Sequence, residues 1–223
     1  ALETSQRRLI ESNIQLMSLR EVSHNLLSIQ TTEKAAQMIA LYLHKAFDYE
    51  RVAVLLTDGE SSILSGWIAA RDLERSITEP VRLSVEKKRG LLVECFRKGE
   101  PRLVTEPAVN VLFSGRWAEC FEPQRLNSYV VIPLKAAAKS GSSMGVIVAG
   151  RSNPNPALTS TDMVLLDSIG STMSTVVENA RLYEEVKRAE MFREDILNNL
   201  ASGLVAVDLE GRAISMNETT SRL

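Results

Sequence analysis

The sequence predicts an α+β domain built on an antiparallel sheet of five or six strands, with the helices that lead into and out of the sheet on one face. Three features predict this class. Short apolar segments follow one another across turn signals such as Asp58-Gly59. Segments 51–57, 128–134 and 144–150 are apolar at nearly every position, which is typical of central strands covered on both faces. Helical patterns precede the first strand and follow the last.

The bulk composition excludes several classes of protein. The 223 residues suffice for one domain of about 150 residues with helical extensions. The 26 basic and 28 acidic residues show no long run of one sign, so nucleic acid is not expected as a partner. Cys95 and Cys120 lack CxxC spacing, which argues against a zinc site, and two thiols fit a reducing cytosol at least as well as a disulfide. No apolar run reaches the ~20 residues of a membrane span, so we expect a cytoplasmic segment without membrane contact.

The N-terminal segment, residues 1–30, predicts a helix that pairs with another helix. Leucines recur at spacings of seven, seven and three, as along a coiled-coil seam, although a helix lying on its own domain is the alternative. The candidate contacts of a dimer are Leu2, Leu9, Leu16 and Leu19. A second helix is predicted to begin at Thr31-Thr32 and to end near Asp48.

The central region predicts the strands of the sheet. The segments expected to be strands are 51–57, 62–70, 81–85, 101–105, 128–134 and 144–150. Residues 90–99 predict a short helix that ends at Gly99, and 106–127 are expected to be helical in part. These loops and short helices are expected to cover the face of the sheet that the long helices leave open.

A single long helix is predicted from Asp162 to about Leu200. Its first half carries apolar residues that suit packing on the sheet. Its second half is heavily charged and keeps one narrow apolar stripe, which is stabilised poorly in an isolated helix. Pairing with a second copy would bury the stripe; a solvated helix that frays is the alternative. The stripe consists of Leu182, Val186, Ala189, Phe192, Ile196 and Leu200.

Four strings in order closely resemble a GAF domain. They are "RGLLVECFRKGEPRLVTE" (89–106), "NSYVVIPLK" (127–135), "MGVIVAG" (144–150) and "LTSTDMVLLDSIGSTMSTVVENARLYEEV" (158–186). The last stretch, "DILNNLASGLVAVDLEGRAISMNETTSRL" (195–223), resembles the start of a PAS domain, with a turn at Glu210-Gly211. An opening without Met indicates an excised piece of a longer protein. We therefore expect residues 201–223 to be disordered or to borrow a neighbouring surface.

The resemblance implies how the chain is organised and what it does. It implies a signalling helix over 1–30, a GAF domain over 31–182, a linking helix over 183–200 and a truncated PAS domain over 201–223. Such an arrangement resembles the sensory half of a bacterial sensor histidine kinase, dimeric through its helices and followed by PAS and kinase domains. No catalytic residue is expected in this part, and the longer protein could carry a membrane span upstream. A transcription activator or a nucleotide cyclase is the alternative output.

In this family a ligand usually binds between the sheet and the segments that cover it. Aromatic residues on or near those segments, with two arginines as anchors for an anionic group, form the candidate pocket. Aromatics that simply fill the core are the alternative. The candidates are Trp67, Phe96, Phe113, Arg116, Trp117, Phe121, Arg125 and Tyr129. No cofactor or metal is predicted, and the identity of any ligand stays open.

Other activities of related proteins fit the sequence less well. The Asn-Lys-Phe-Asp-Glu set of cyclic-nucleotide binders is missing, and neither cysteine precedes the His common in bilin-binding relatives. His44 lies between Leu43 and Lys45, where haem ligation is not expected, and His24 lacks the acidic residue that follows a phosphoacceptor histidine. Reduction of free methionine sulfoxide by a cysteine thiolate stays a remote alternative, with Arg97 and Lys98 close to Cys95 in sequence.

Overall fold

The computed structural model describes residues 31–47, 49–57, 63–70, 81–86, 90–105, 126–136, 143–199, 204–216 and 220. The chain forms two compact units, residues 1–180 and 181–223. Within the described residues no helix is long and apolar enough to cross a membrane. The predicted helix over residues 1–30 lies outside the described part of the chain.

The order of the elements follows the predicted order. They are α1 (Thr32–Ala46), β1 (Arg51–Thr57), β2 (Ile63–Ala70), β3 (Val81–Ser84), α2 (Leu91–Lys98), β4 (Arg102–Val104), β5 (Leu126–Lys135), β6 (Ser143–Ser152), α3 (Ser160–Asn199), β7 (Val205–Val207) and β8 (Ala213–Met216). The predicted strands are therefore present, and β5 and β6 extend beyond the bounds expected for them.

Strands β1 to β6 form one antiparallel sheet in the order β3-β2-β1-β6-β5-β4. Val54 of β1 lies opposite Trp67 of β2 and opposite Ile147 of β6. Strands β1 and β6 are buried along nearly their whole length, because other elements cover the sheet on both sides. This arrangement confirms the predicted fold class.

Helices α1 and α3 cover the first face of the sheet. Apolar side chains from both helices and from alternate strand positions form a buried core there. The helical contributors are Ala35, Ala36, Ile39, Ala40 and Leu43 of α1 and Leu166, Ile169, Met173, Val176, Val177 and Ala180 of α3. Gly170 allows α3 to approach β5 closely, since a Cβ at this position would lie 2.7 Å from Cγ2 of Ile132.

Helix α2 covers the second face. Its residues Leu92, Val93 and Cys95 are buried in a second apolar core with side chains such as Leu55 and Val131 of the sheet. The helix ends at Gly99, as predicted, with a φ of 66° and its N–H bonded to the carbonyl of Cys95. The expectation that a short helix covers this face is therefore met by α2.

Side-chain caps set where the long helices begin. The hydroxyl of Thr31 accepts from the N–H of Lys34 at 3.3 Å, which caps α1. At α3 the Asp162 carboxylate accepts from the N–H of Thr159 at 2.8 Å, and the Thr159 hydroxyl accepts from the N–H of Asp162 at 3.4 Å. The predicted long helix is present as α3, and it begins two residues earlier than expected, at Ser160, because this capping box places Asp162 in its first turn.

The second unit contains the last part of α3 and a hairpin of β7 and β8. Gly211 has a φ of 81°, and the Asp208 carboxylate accepts from the N–H groups of Glu210 at 3.0 Å and Arg212 at 2.8 Å. The turn predicted at Glu210-Gly211 is present. Apolar residues of the hairpin, including Val207 and Ile214, are exposed.

Gly66→Ala should disrupt the centre of the sheet. A Cβ at Gly66 would lie 1.8 Å from the carbonyl oxygen of Val54, and the backbone of paired strands cannot move aside cheaply. We expect the substitution to lower the free energy of unfolding by about 3 kcal/mol or more in urea titrations followed by circular dichroism. Ser65→Ala, in the neighbouring and partly exposed position, should cost less than about 1 kcal/mol. Equal stability of the two variants would contradict this account.

Candidate functional site

Two of the predicted pocket residues lie together on the second face of the sheet. Tyr129 of β5 is fully buried in the core beneath α2, and Phe96 of α2 is partly buried against the same core. The alternation of side chains along β5 directs Tyr129 and Val131 to this face. These residues lie on the face of the sheet where the candidate pocket is predicted.

Trp67 does not join them. Its side chain lies in the core beneath α1 and α3, together with Val54, whereas its neighbour Ile68 faces α2. Successive residues of a strand point to opposite faces, so Trp67 can be on the pocket side only if the register of β2 changes. Its assignment to the pocket is therefore corrected. Within the described residues its buried indole N–H has no hydrogen-bond partner.

The other predicted pocket residues lie outside the described part of the chain. Residues 106–125 contain all five of them, and the pocket that they would close stays a prediction. They are Phe113, Arg116, Trp117, Phe121 and Arg125.

Cys95 and Tyr129, two polar groups described on this face, are protonated at neutral pH. Burial raises the pKa of the Cys95 thiol to about 12, and the thiol donates to the carbonyl of Val131 at 3.5 Å. Burial likewise raises the pKa of Tyr129 to about 12. A protonated thiol is a weak nucleophile, so these groups suit hydrogen bonding better than thiolate chemistry.

The cations that act on Cys95 are not the ones that its sequence neighbours suggested. Burial has the largest effect on the pKa of Cys95 and raises it. The charge of Arg102 and, to a smaller extent, that of Lys135 lower it. The guanidinium of Arg97 instead donates to the carbonyl of Val85 at 2.7 Å, which ties α2 to the segment after β3. Sequence spacing could not find Arg102, because β4 reaches Cys95 only through the folded sheet.

A buried polar network, which the sequence did not single out, joins β5 to the segment before α3. The Ser128 hydroxyl accepts from the N–H of Leu158 at 2.7 Å and donates to Asn127 at 2.9 Å. The Asn127 amide donates to the carbonyl of Asn155 at 2.7 Å. The Asn-Ser pair that opens "NSYVVIPLK" was its only sequence signal. The described residues contain no group of three or more His, Cys, Asp or Glu side chains that could hold a metal.

The charged part of α3 carries the second candidate surface. The predicted stripe residues are exposed, with exposed fractions of 53% for Leu182, 59% for Val186, 66% for Phe192 and 48% for Ile196. Ala189 is exposed as well. The remaining candidate dimer residues, Leu2, Leu9, Leu16, Leu19 and Leu200, lie outside the described part of the chain.

Comparison with known families identifies the fold. The family profile of the GAF domain matches residues 31–177, which is well over half of the chain. The chain belongs to the GAF domain family. GAF domains are regulatory, sensory modules of signalling proteins, and the two-sided sheet described above is the core of this one.

Solved structures share this fold at low sequence identity. A methyl-accepting chemotaxis protein, residues 122 to 287, has a TM-score of 0.59 and 18% identity over 72% of this chain and 97% of its own. The GAF domain of a phosphoenolpyruvate-protein phosphotransferase from Coxiella burnetii has a TM-score of 0.59 and 13% identity over 77% and 96%. The free methionine-R-sulfoxide reductase of Neisseria meningitidis has a TM-score of 0.54 and 18% identity over 74% and 88%. No curated protein matches the sequence significantly.

Ionisation of Cys95 should destabilise this GAF domain at alkaline pH. The pKa of Cys95 in the folded protein, about 12, exceeds its ordinary value of 9.0. The stability that the protonated thiol adds to the folded state is therefore complete below pH 9 and is lost as the pH rises toward 12. One such group costs at most about 1.4 kcal/mol per pH unit. We expect the stability gap between Cys120→Ser and Cys95→Ala/Cys120→Ser, measured in urea, to narrow from pH 8 to pH 10. A stability gap that stays constant with pH would show that folding does not raise the pKa of the thiol.

Proposed function

We propose that this chain is the sensory part of a bacterial signal-transduction protein of the sensor histidine kinase type. In this proposal the GAF domain senses a small molecule or relays a signal, and paired helices pass the change to downstream PAS and kinase domains. The observation that carries the proposal is the exposed apolar stripe of α3 between Leu182 and Ile196. The chain itself is proposed to have no catalytic role.

The stripe supports pairing because it is the main apolar feature of an otherwise charged helical segment. Phe192 and Val186 expose most of their side chains to water, and the rest of this helical segment is rich in acids and bases such as Arg181 and Glu185, which pair at 3.2 Å. A surface ion pair of this kind adds little stability. Burial of the stripe against a second copy would remove apolar area from water at about 25 cal/mol per Å². A homodimer is therefore the proposed partner.

Helical pairing also supplies a way to transmit a signal. A paired helix can take up two packing arrangements, and a change in the GAF domain that favours one of them shifts the balance between them. The exposed apolar hairpin of β7 and β8 supports the proposal of a PAS domain, because a two-stranded hairpin needs further strands or a covering surface to be stable. A transcription activator or a nucleotide cyclase stays the alternative output. The identity of the output domain in the full-length protein would distinguish the three.

The dimer is tested by charging the stripe. The double variant Val186→Glu/Phe192→Glu places two carboxylates where the interface would be apolar, and burying them costs free energy. We expect the chain to be a dimer in sedimentation velocity at micromolar concentration, and we expect the double variant to dissociate at least about a hundredfold more readily.

Val164→Glu is the matched control. Val164 lies on the same helix and is 66% exposed, the same exposed fraction as Phe192, but it is outside the stripe. We expect this variant to dimerise like the unmodified chain. A monomer at high protein concentration, or equal dissociation of the two variants, would reject the helical dimer.

The ligand is tested by mass. If the face beneath α2 holds a small molecule, the native mass of the purified chain should exceed its denatured mass by the mass of that molecule. Tyr129→Phe keeps the ring and removes the one phenol described on this face, so we expect it to reduce the bound fraction of a polar ligand several-fold. Equal native and denatured masses for chain purified under mild conditions would favour a core that is simply filled.

Thiol-dependent reduction of free methionine sulfoxide is the remote alternative. One solved structure with this fold is that of such a reductase, but at 18% identity the likeness concerns the fold alone. The buried, protonated Cys95 gives the alternative no support. Turnover of free methionine sulfoxide that disappears in Cys95→Ser or Cys120→Ser would replace the proposed role with an enzymatic one.

A further inference from the structure

We propose that an aromatic ladder couples the end of helix α1 to the start of helix α3. The ladder consists of Tyr42, Phe47, Tyr49 and Arg151, which contact one another in that order. It lies within the first compact unit of the chain and joins the helix before the sheet to the helix after it.

The first steps of the ladder are ring contacts. The Tyr42 and Phe47 rings meet edge to face with centroids 5.9 Å apart, and the Phe47 and Tyr49 rings stack with centroids 6.1 Å apart. Both separations lie in the range in which aromatic pairs attract. Within the described residues the buried Tyr42 hydroxyl has no hydrogen-bond partner. The ring of Tyr42, and not its hydroxyl, is therefore what it contributes here.

The last steps carry the ladder to α3. The guanidinium of Arg151 lies 5.2 Å from the centre of the Tyr49 ring, which is a cation–π geometry. The same side chain pairs with the Asp162 carboxylate at 3.8 Å. Asp162 is the acidic member of the capping box with Thr159, so Arg151 acts on the group that fixes the first turn of α3.

A second contact from α1 reaches the same point. Nδ1 of His44 donates to the carbonyl of Tyr49 at 2.6 Å, so the backbone and the ring of Tyr49 are both held from α1. Tyr49 is buried and directly precedes the sheet region, whereas Arg151 is near the end of β6. Arg151 thus contacts both the Tyr49 ring and the capping group of α3.

Contacts of this strength are sufficient for measurable coupling. Each aromatic or cation–π contact is expected to shift a local opening equilibrium roughly two- to tenfold. Opening of the last turn of α1 would release the ring of Phe47, weaken the platform under Arg151 and so loosen Asp162. Coupling must be reciprocal, so opening of the first turn of α3 loosens the last turn of α1 by the same factor.

The role of the ladder in signalling rests on the proposed function, but the coupling itself does not. If the two helices carry a signal, the ladder transmits a change in one helix to the other across one end of the sheet. Arg151 is then a positioning residue that acts through the cap of α3. A monomeric chain could still show the coupling, and a dimeric chain could lack it.

Amide hydrogen exchange in the full chain tests the coupling. The N–H of Phe47 bonds to Leu43 at the end of α1, and the N–H of Met163 bonds to Thr159 at the start of α3. Tyr42→Leu removes the first ring, and we expect it to speed exchange at Met163 at least about threefold although it lies on the other helix. Arg151→Met should speed exchange at Phe47 to a similar degree.

The decisive comparison is the double variant. If Arg151 is the link, Tyr42→Leu should have no further effect on Met163 once Arg151→Met is present. Tyr42→Phe keeps the ring and removes only the hydroxyl. This variant should therefore fold well and leave amide exchange at Met163 unchanged. Met173, in the middle of α3, should be unaffected by each variant, which separates local coupling from general destabilisation.

Arg102→Met is the matched control. Arg102 is not part of the ladder, and it forms an ion pair with Glu100 at 2.8 Å. This variant should leave amide exchange unchanged at both Phe47 and Met163. The proposal is overturned if Tyr42→Leu speeds exchange at Phe47 alone, or if its effect on Met163 persists in the Arg151→Met background.

Discussion

The pairing of β1 with β6 at the centre of the sheet is the constraint from which the rest of the fold follows. Both strands are buried on both faces, so their backbones bond only to neighbouring strands and their side chains require an apolar layer above and below. Helices α1 and α3 supply one layer, and α2 supplies part of the other. A sheet of this kind cannot be stable with only one face covered. This explains why so much of the sequence lies outside the strands.

The two faces have different physical characters, and that difference separates the two candidate activities. The face beneath α2 combines aliphatic side chains with the protonated groups of Cys95 and Tyr129, and the proposed small-molecule ligand would bind on this face. The face beneath α1 and α3 is a close-packed interface between rigid elements, which suits mechanical coupling between helices. Its aromatic and charged end, from Tyr42 to Arg151, is the place where the two helices come into indirect contact.

Much of the fold could be predicted from the sequence, but less of the site could be. The nearly continuous apolar strands and the end of α2 at Gly99 depend on local sequence preferences. The structure confirms both features at their predicted positions. Trp67 was misassigned because a strand that is apolar on both faces gives no alternation from which to read its direction. The contact of Arg151 with Tyr49 joins distant segments, which no spacing along the chain encodes. The effect of Arg102 on Cys95 depends on how α2 and β4 both meet β5 at Val131. The start of α3 differs from the predicted one by two residues, because Asp162 is the partner of the helix cap and not the first residue of the helix.

Gly170 shows what the close approach of α3 to the sheet demands of the helix. Glycine inside a helix is less favourable than alanine by about 1 kcal/mol, yet a Cβ here would collide with Ile132. The helix is thus weakest by its own preferences at the point where the sheet holds it most closely. Peptides cut from this region would lose that support and with it much of their helicity. The sheet and this half of α3 therefore depend on each other for stability, since Gly170 weakens the helix alone and the helix covers one face of the sheet.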